Sequence, residues 1–274
     1  MTTTSPAPSP FAVWTDYFTR NRVRQRRIEA TVDWDAPCAL PDDARRAIAH
    51  SFQRFELGES GEGEHLLGLA ARTGDPDYVA AVRLLVAEEQ RHSALFGRGL
   101  RHLTARSLPG HWTDRVFTLL RRSIGLDTEV ALFLVAETVA LDWFEALATS
   151  PDPVVSGIGR RITADEREHV RFQIDRLHRD LRPKPLAARA GIAAVWAAVA
   201  VGAATVLVTG HADALRACGR RPAVVWTRGL RTFARAVHAV LTGPRERVLG
   251  PSVPRPDLVG PQPRAGAAPG SVVR

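Results

Sequence analysis

Lysine and cysteine are nearly missing from this chain. Lys184 is the only lysine in 274 residues, so a basic character carried by 37 Lys and Arg residues is almost wholly arginine. The two cysteines, Cys38 and Cys218, stand far apart with no second Cys or His at zinc-finger spacing, which excludes a disulfide framework and a structural zinc motif. A reducing, cytoplasmic setting is therefore expected. A basic stretch followed by an apolar one is also missing from MTTTSPAPSPFAVW, so this segment does not read as a secretory signal.

What is present suits a helical protein with one generous core: 45% of the residues are apolar, and the 21 Gly and 19 Pro gather at the ends and between apolar-periodic stretches. The formal net charge is +8 and the pI near 10.9, values that raise the question of an anionic partner. Because the arginines are interleaved with Asp and Glu, a solvated surface is the expectation, and nucleic acid is not an expected partner.

Periodicity divides the chain into an N-terminal extension (1–40), a bundle of four long helices (41–182), a C-terminal helical extension (183–242) and a tail (243–274). The tail and residues 2–10 are too poor in groups to bury to be expected to order. Phe11 to Ile28 reads as a basic, partly helical lead-in. The first long helix is expected to start near Pro41, with Asp42 and Asp43 in its first turn, and to run on to the turn Thr73-Gly74-Asp75-Pro76. A second helix follows, then a longer connection with a helical piece near Trp112 to Ser123. Helices three and four are separated by Thr149-Ser150-Pro151-Asp152-Pro153. Two hairpins joined by a crossover make an all-α bundle with additional C-terminal helices.

Each apolar stripe is interrupted by ionisable residues. Glu59 and Glu62 interrupt the first, Glu89 and His92 the second, Glu137 the third, Glu166 and His169 the fourth. Carboxylates buried alone would cost several kcal/mol, and divalent metal ions supply the missing opposite charge. Glu and His three residues apart share a helix face, so Glu89/His92 and Glu166/His169 can each offer an oxygen and a nitrogen to one site. Heights agree as well: Glu59 lies 15 residues before Gly74 and Glu89 lies 15 after it, which places both roughly 20 Å up an antiparallel hairpin. Glu59 is preferred on this ground, with Glu62 as an additional or alternative ligand. Asp165 and Glu168 are expected to be solvated or to hydrogen-bond the imidazoles, Glu88 to lie on the surface, and His65 to lie on the surface or behind the ligands.

Through GESGEGEHLL, AEEQRH, VAETVAL and DEREHVRF the chain resembles the ferritin-like superfamily of di-iron carboxylate proteins. The resemblance implies a ferritin-like four-helix bundle with a crossover between helices two and three. It implies two iron ions, with manganese as the other candidate, held by Glu59, Glu89, His92, Glu137, Glu166 and His169. Glu89 and Glu166 would bridge them. It further implies a non-haem di-iron oxidoreductase or oxygenase that uses dioxygen on an organic substrate, with an external electron donor where one is needed. A non-enzymatic iron-binding or oxidative-stress protein is the second expectation, and a membrane- or nucleic-acid-associated helical protein the third. A substrate pocket would be lined by Phe55, Phe96, Phe133, Leu141 and Phe172. Tyr78 lies 11 residues from Glu89, roughly 16 Å along a helix, which argues against a stored tyrosyl radical.

The C-terminal extension holds Ala190 to Gly210, an apolar run long enough to cross a bilayer. A buried fifth helix is the expectation. Membrane contact through 190–241 is the alternative, because the next helix sets Trp226, Leu230, Phe233, Val237 and Leu241 on one face and Arg228, Arg231 and Arg235 on another.

Overall fold

A computed structural model describes residues 9–61, 63–111 and 125–243. Every regular element among them is helical: α1 (Ala12–Ala30), α2 (Asp42–Glu59), α3 (Glu64–Ala71), α4 (Pro76–His102), α5 (Leu126–Leu147), α6 (Pro153–Leu181), α7 (Leu186–Gly210), α8 (Ala212–Ala217) and α9 (Pro222–Thr242). The expected helical piece near Trp112 to Ser123, the residues Thr2 to Pro8, the tail from residue 244 and Glu62 lie outside the described residues.

Two Asp-Pro starts set the bundle's hairpins. Asp75 accepts hydrogen bonds from the Asp77 and Tyr78 amides at the head of α4, and Asp152 accepts from those of Val154 and Val155 at the head of α6. Each caps orphan donors, while the following proline has no amide to lose. α2 packs along α4, α5 along α6, and α4 against α6. Gly159 lets the α5–α6 pair close tightly near its turn, since a Cβ there would stand 2.4 Å from the Ala148 nitrogen.

The first long helix is shorter than expected. α2 ends at Glu59, and the separate α3 begins at Glu64. Gly63 makes the break: its φ of +69° is left-handed, and a Cβ there would lie 2.5 Å from Val86, so only glycine fits without strain. Periodicity carried through Glu62, Leu66 and Leu69 because α3 restores the apolar face after the break.

α1 lies across the bundle against α4 and α6. Its inward stripe is apolar at one end and polar at the other, running Trp14, Phe18, Asn21, Gln25, Glu29. On the far side α7 and α9 pack on each other and on α5. α5 is thereby enclosed, which explains why it is apolar nearly all round. α7 buries only the stripe Trp196, Ala200, Ala204, Val208. The expectation of a buried fifth helix is thus half met, because its other face is open, with Val195 63% and Val201 45% exposed.

Candidate metal centre

The helices converge on a layer of carboxylates and imidazoles midway along the bundle. Ligand atoms of Glu89, Glu137, Glu166 and His169 lie within 4.8 Å of one another, and so do those of Glu59, Glu89 and His92. Of the seven side chains singled out by the stripes, the six described ones are therefore brought together, with Glu89 common to both groups. Glu59 reaches the layer as the last residue of α2, at the break itself.

Both imidazoles turn Nδ1 inward. His92 Nδ1 is 3.1 Å from Glu166 Oε1, and His169 Nδ1 is 2.8 Å from Glu89 Oε1 and 3.8 Å from Glu166 Oε2. Glu166 thus offers one oxygen toward each histidine. The rings lie 5.6 Å apart with an interplanar angle of 29°. Among the described residues neither Nδ1 has an aligned hydrogen-bond partner, and Glu89 Oε1, Glu137 Oε2 and both oxygens of Glu166 are likewise buried without one. So many orphaned buried polar atoms facing one point is an arrangement that water-exposed or self-paired groups would not adopt.

The outward nitrogens are held crosswise. His92 Nε2 donates to Asp165 Oδ2 at 2.9 Å, and His169 Nε2 donates to Glu88 Oε2 at 2.9 Å. Each histidine is thus oriented by the residue that precedes the other helix's glutamate, and the donated Nε2–H leaves the Nδ1 lone pair free for an electrophile. Asn21 of α1 closes the frame, its amide donating to Glu88 Oε1 and to Asp165 Oδ1, both at 2.9 Å. Gln25 adds a 3.3 Å bond to Asp165 Oδ2. Behind them Arg161 pairs with Asp165, and Glu29 receives the Arg91 guanidinium. Burial pulls the Arg161 guanidinium down to about 10, opposed by the charges of Glu88 and Glu29.

Glu88 is therefore a correction: it is 3% exposed and orients His169 instead of lying on the surface. Glu168 is buried too, where it pairs with Arg171. α1 covers this flank, and the bundle's own periodicity gives no sign of such a cover. A readable signal existed, since Glu88 and Asp165 occupy the same position ahead of Glu89 and Glu166. Asn21 and Gln25 were missed altogether, although they continue a helical apolar stripe with polar residues at the same spacing. His65 stays away from the layer and bonds Glu129 at 2.8 Å.

The electrostatics are those of crowded anions. Burial and then the charge of Glu89 push the Glu59 carboxyl well above its ordinary range. Burial and then Glu166 do the same to Glu137. For Glu89, burial acts upward but is outweighed by a hydrogen bond with Glu59 and the charge of His169, which hold it far below the usual range. His169 is pushed up, because Glu89 and Glu88 outweigh its desolvation. Four carboxylates can all be anionic here only with positive charge among them. Tyr17, also carried by α1, has its phenol raised by burial and then by Glu168 and Glu88, and its buried hydroxyl has no hydrogen-bond partner among the described residues.

The five residues expected to line a pocket are spread over different parts of the core. Phe55 stacks on Phe96, which packs with Phe52 and Phe144 in one core cluster, while Phe172 packs with Phe11, Trp14, Phe18 and Tyr78 in another, with Phe133 at its edge. Leu141 is buried outside both. A third ligand-like group, Cys38, His102 and Asp152, is taken up structurally: Asp152 already accepts from Val154, Val155, Ala39 and His102.

No family model, curated protein or solved structure matches this chain. What stands without them is an all-helical protein with a buried Glu/His group whose geometry is compatible with a di-iron site.

Proposed function

We propose that this chain is a ferritin-like, non-haem di-iron oxidoreductase, with helices α2, α4, α5 and α6 as the four-helix bundle and a crossover between α4 and α5. The observation that carries the reading is the pair of inward, unpartnered Nδ1 atoms, each fixed by a carboxylate on its Nε2 and set among four glutamates.

The donor set fits two divalent ions. Four carboxylates and two neutral imidazoles balance two dipositive charges, and oxygen and imidazole donors suit Fe(II) and Mn(II) over softer metals. Separations of 2.8 Å and 3.1 Å between imidazole nitrogen and carboxylate oxygen agree with adjacent ligands about 3 Å apart around an ion that binds each at about 2.1 Å. Glu59 and His92 would hold one ion, Glu137 and His169 the other, with Glu89 and Glu166 between them.

When bound, two ferrous ions supply electrons to dioxygen, which makes oxidation of an organic substrate the chemistry in view. The chain's own part is orientation and exclusion. Asp165 and Glu88 keep both imidazoles as Nε2–H tautomers, Arg161 balances the charge behind them, and the aromatic clusters on either side keep bulk water from the layer.

Anaerobic reconstitution with Fe(II) tests the reading. Two irons per chain are expected, with an oxidised di-iron absorption on exposure to air that Glu89→Ala and Glu166→Ala both lose. Wild type that takes up no more metal than these variants would leave the glutamates as a structural network.

A further inference from the structure

The helices on the other side of α5 carry a second surface, independent of the metal centre. From Ala190 to Gly210 there is no Asp, Glu, Lys, Arg or His. Those 21 residues extend about 31 Å at 1.5 Å per residue. One stripe of α7 is spent on the bundle, yet the opposite face is as apolar as the buried one, with Val195, Val201 and Val206 exposed. A helix facing water ordinarily turns a polar face outward. The hydroxyls of Thr205 and Thr209 do not supply one, because they donate back to the Val201 and Thr205 carbonyls.

Charge is as unevenly distributed. Residues 182–243 hold nine basic residues against one acidic, Asp213, a balance equal to the whole chain's +8. The rest of the molecule is neutral in sum. α9 has no acidic residue and exposes Arg231 and Arg235, while its Arg228 reaches back to pair with Asp142 of α5; Arg182, Lys184 and Arg189 stand at the start of α7 with Arg216, Arg220 and Arg221 beyond its end. Trp226 of α9 donates to Thr205 at 3.1 Å, tying the two helices side by side. Both pack on α5, so their open faces turn away from the bundle together.

We propose that the open faces of α7 and α9 dock on an anionic lipid bilayer, with α7 seated at the headgroup boundary and the arginines against lipid phosphates. Apolar burial plus basic charge is what holds helices on such surfaces. The stripe of α7 held by α5 and α9 makes the contact one-sided, so the helix lies on the membrane. A second copy of the chain is the other candidate occupant, but it would bring nine like charges against nine.

Sedimentation of the full chain with vesicles tests this, using phosphatidylcholine alone and phosphatidylcholine mixed with phosphatidylglycerol. Binding to the mixed vesicles, weakened by salt, is expected. Arg231→Gln with Arg235→Gln should lower it about 25-fold, from roughly fivefold per arginine. Val195→Asp with Val206→Asp should abolish it, with metal content and thermal unfolding unchanged in both. Three outcomes would overturn the proposal. The first is wild type that sediments with neither vesicle, and the second is a pair of double variants that both bind as wild type does. Alternatively, wild type that forms a dimer, splits on Val195→Asp with Val206→Asp and ignores vesicles would give this face to a second copy.

Discussion

His92 Nε2 stands 2.9 Å from Oδ2 of Asp165, a residue of the opposite hairpin that directly precedes Glu166. The same bond in mirror order joins His169 to Glu88. The two histidines are thus locked by each other's helices, and the helix outside the bundle, α1, ties the locks together through Asn21.

Asn21→Leu should therefore weaken metal binding about 10- to 100-fold, the usual effect of losing a partner behind the ligands. A competition titration against a chelator reads this. Thr15→Ala, which loosens α1 elsewhere by removing its bond to the Asp77 carbonyl, should leave affinity unchanged. If both variants weaken binding alike, Asn21 serves only to hold α1 in place.

Glu137 is 8% exposed, and burial together with Glu166 disfavours its charge. Glu137→Leu should stabilise the metal-free protein by about 1–4 kcal/mol, as replacement of buried charges by apolar groups often does, and should cost it metal. Urea unfolding of both proteins after chelation measures the first effect, and metal analysis the second. A metal-free variant less stable than wild type would show that the bond from Gln173 outweighs the repulsion.

Gly63→Ala should destabilise the fold by about 1–3 kcal/mol through its left-handed backbone, with more from the clash at Val86. It should also lower metal affinity, because the break it forms is where Glu59 enters the layer. Gly68→Ala, which meets nothing within 4 Å in the interior of α3, is the matched control and should be neutral or slightly stabilising.

His211 gives a pH prediction. Its Nδ1 lies 2.6 Å from Ser51 Oγ, and burial, then the nearby Arg54, His50 and His111, lower its pKa to about 3 from 6.5. The unfolded chain then binds the proton first, so stability falls as pH drops from 6.5 toward about 3. His211→Phe should remove this contribution, giving a shallower loss of melting temperature below pH 6.5 than wild type shows. Parallel curves for the two would sink it.

The stripes made the inward set legible because a buried carboxylate is conspicuous in an apolar repeat: Glu59, Glu89, His92, Glu137, Glu166 and His169 all reach one layer. The Asp-Pro caps of α4 and α6 were readable for an equally local reason, a side chain bonding amides two and three residues on. The break at Gly63 was not, since glycine tolerates a helix as well as a left-handed turn, and Val86 of another helix decides between them.

By itself the sequence determined helix starts, inward faces and the identity of the ionisable residues on them, because these depend on spacings of three and four along one chain. Only the tertiary structure decided that α1 covers the site and that Glu88 and Asp165 orient each other's histidines. It also decided that α7 keeps one face open. Those are contacts between segments 60 to 160 residues apart, such as Asn21 with Glu88 and with Asp165, and no local spacing encodes which helix will lie across which.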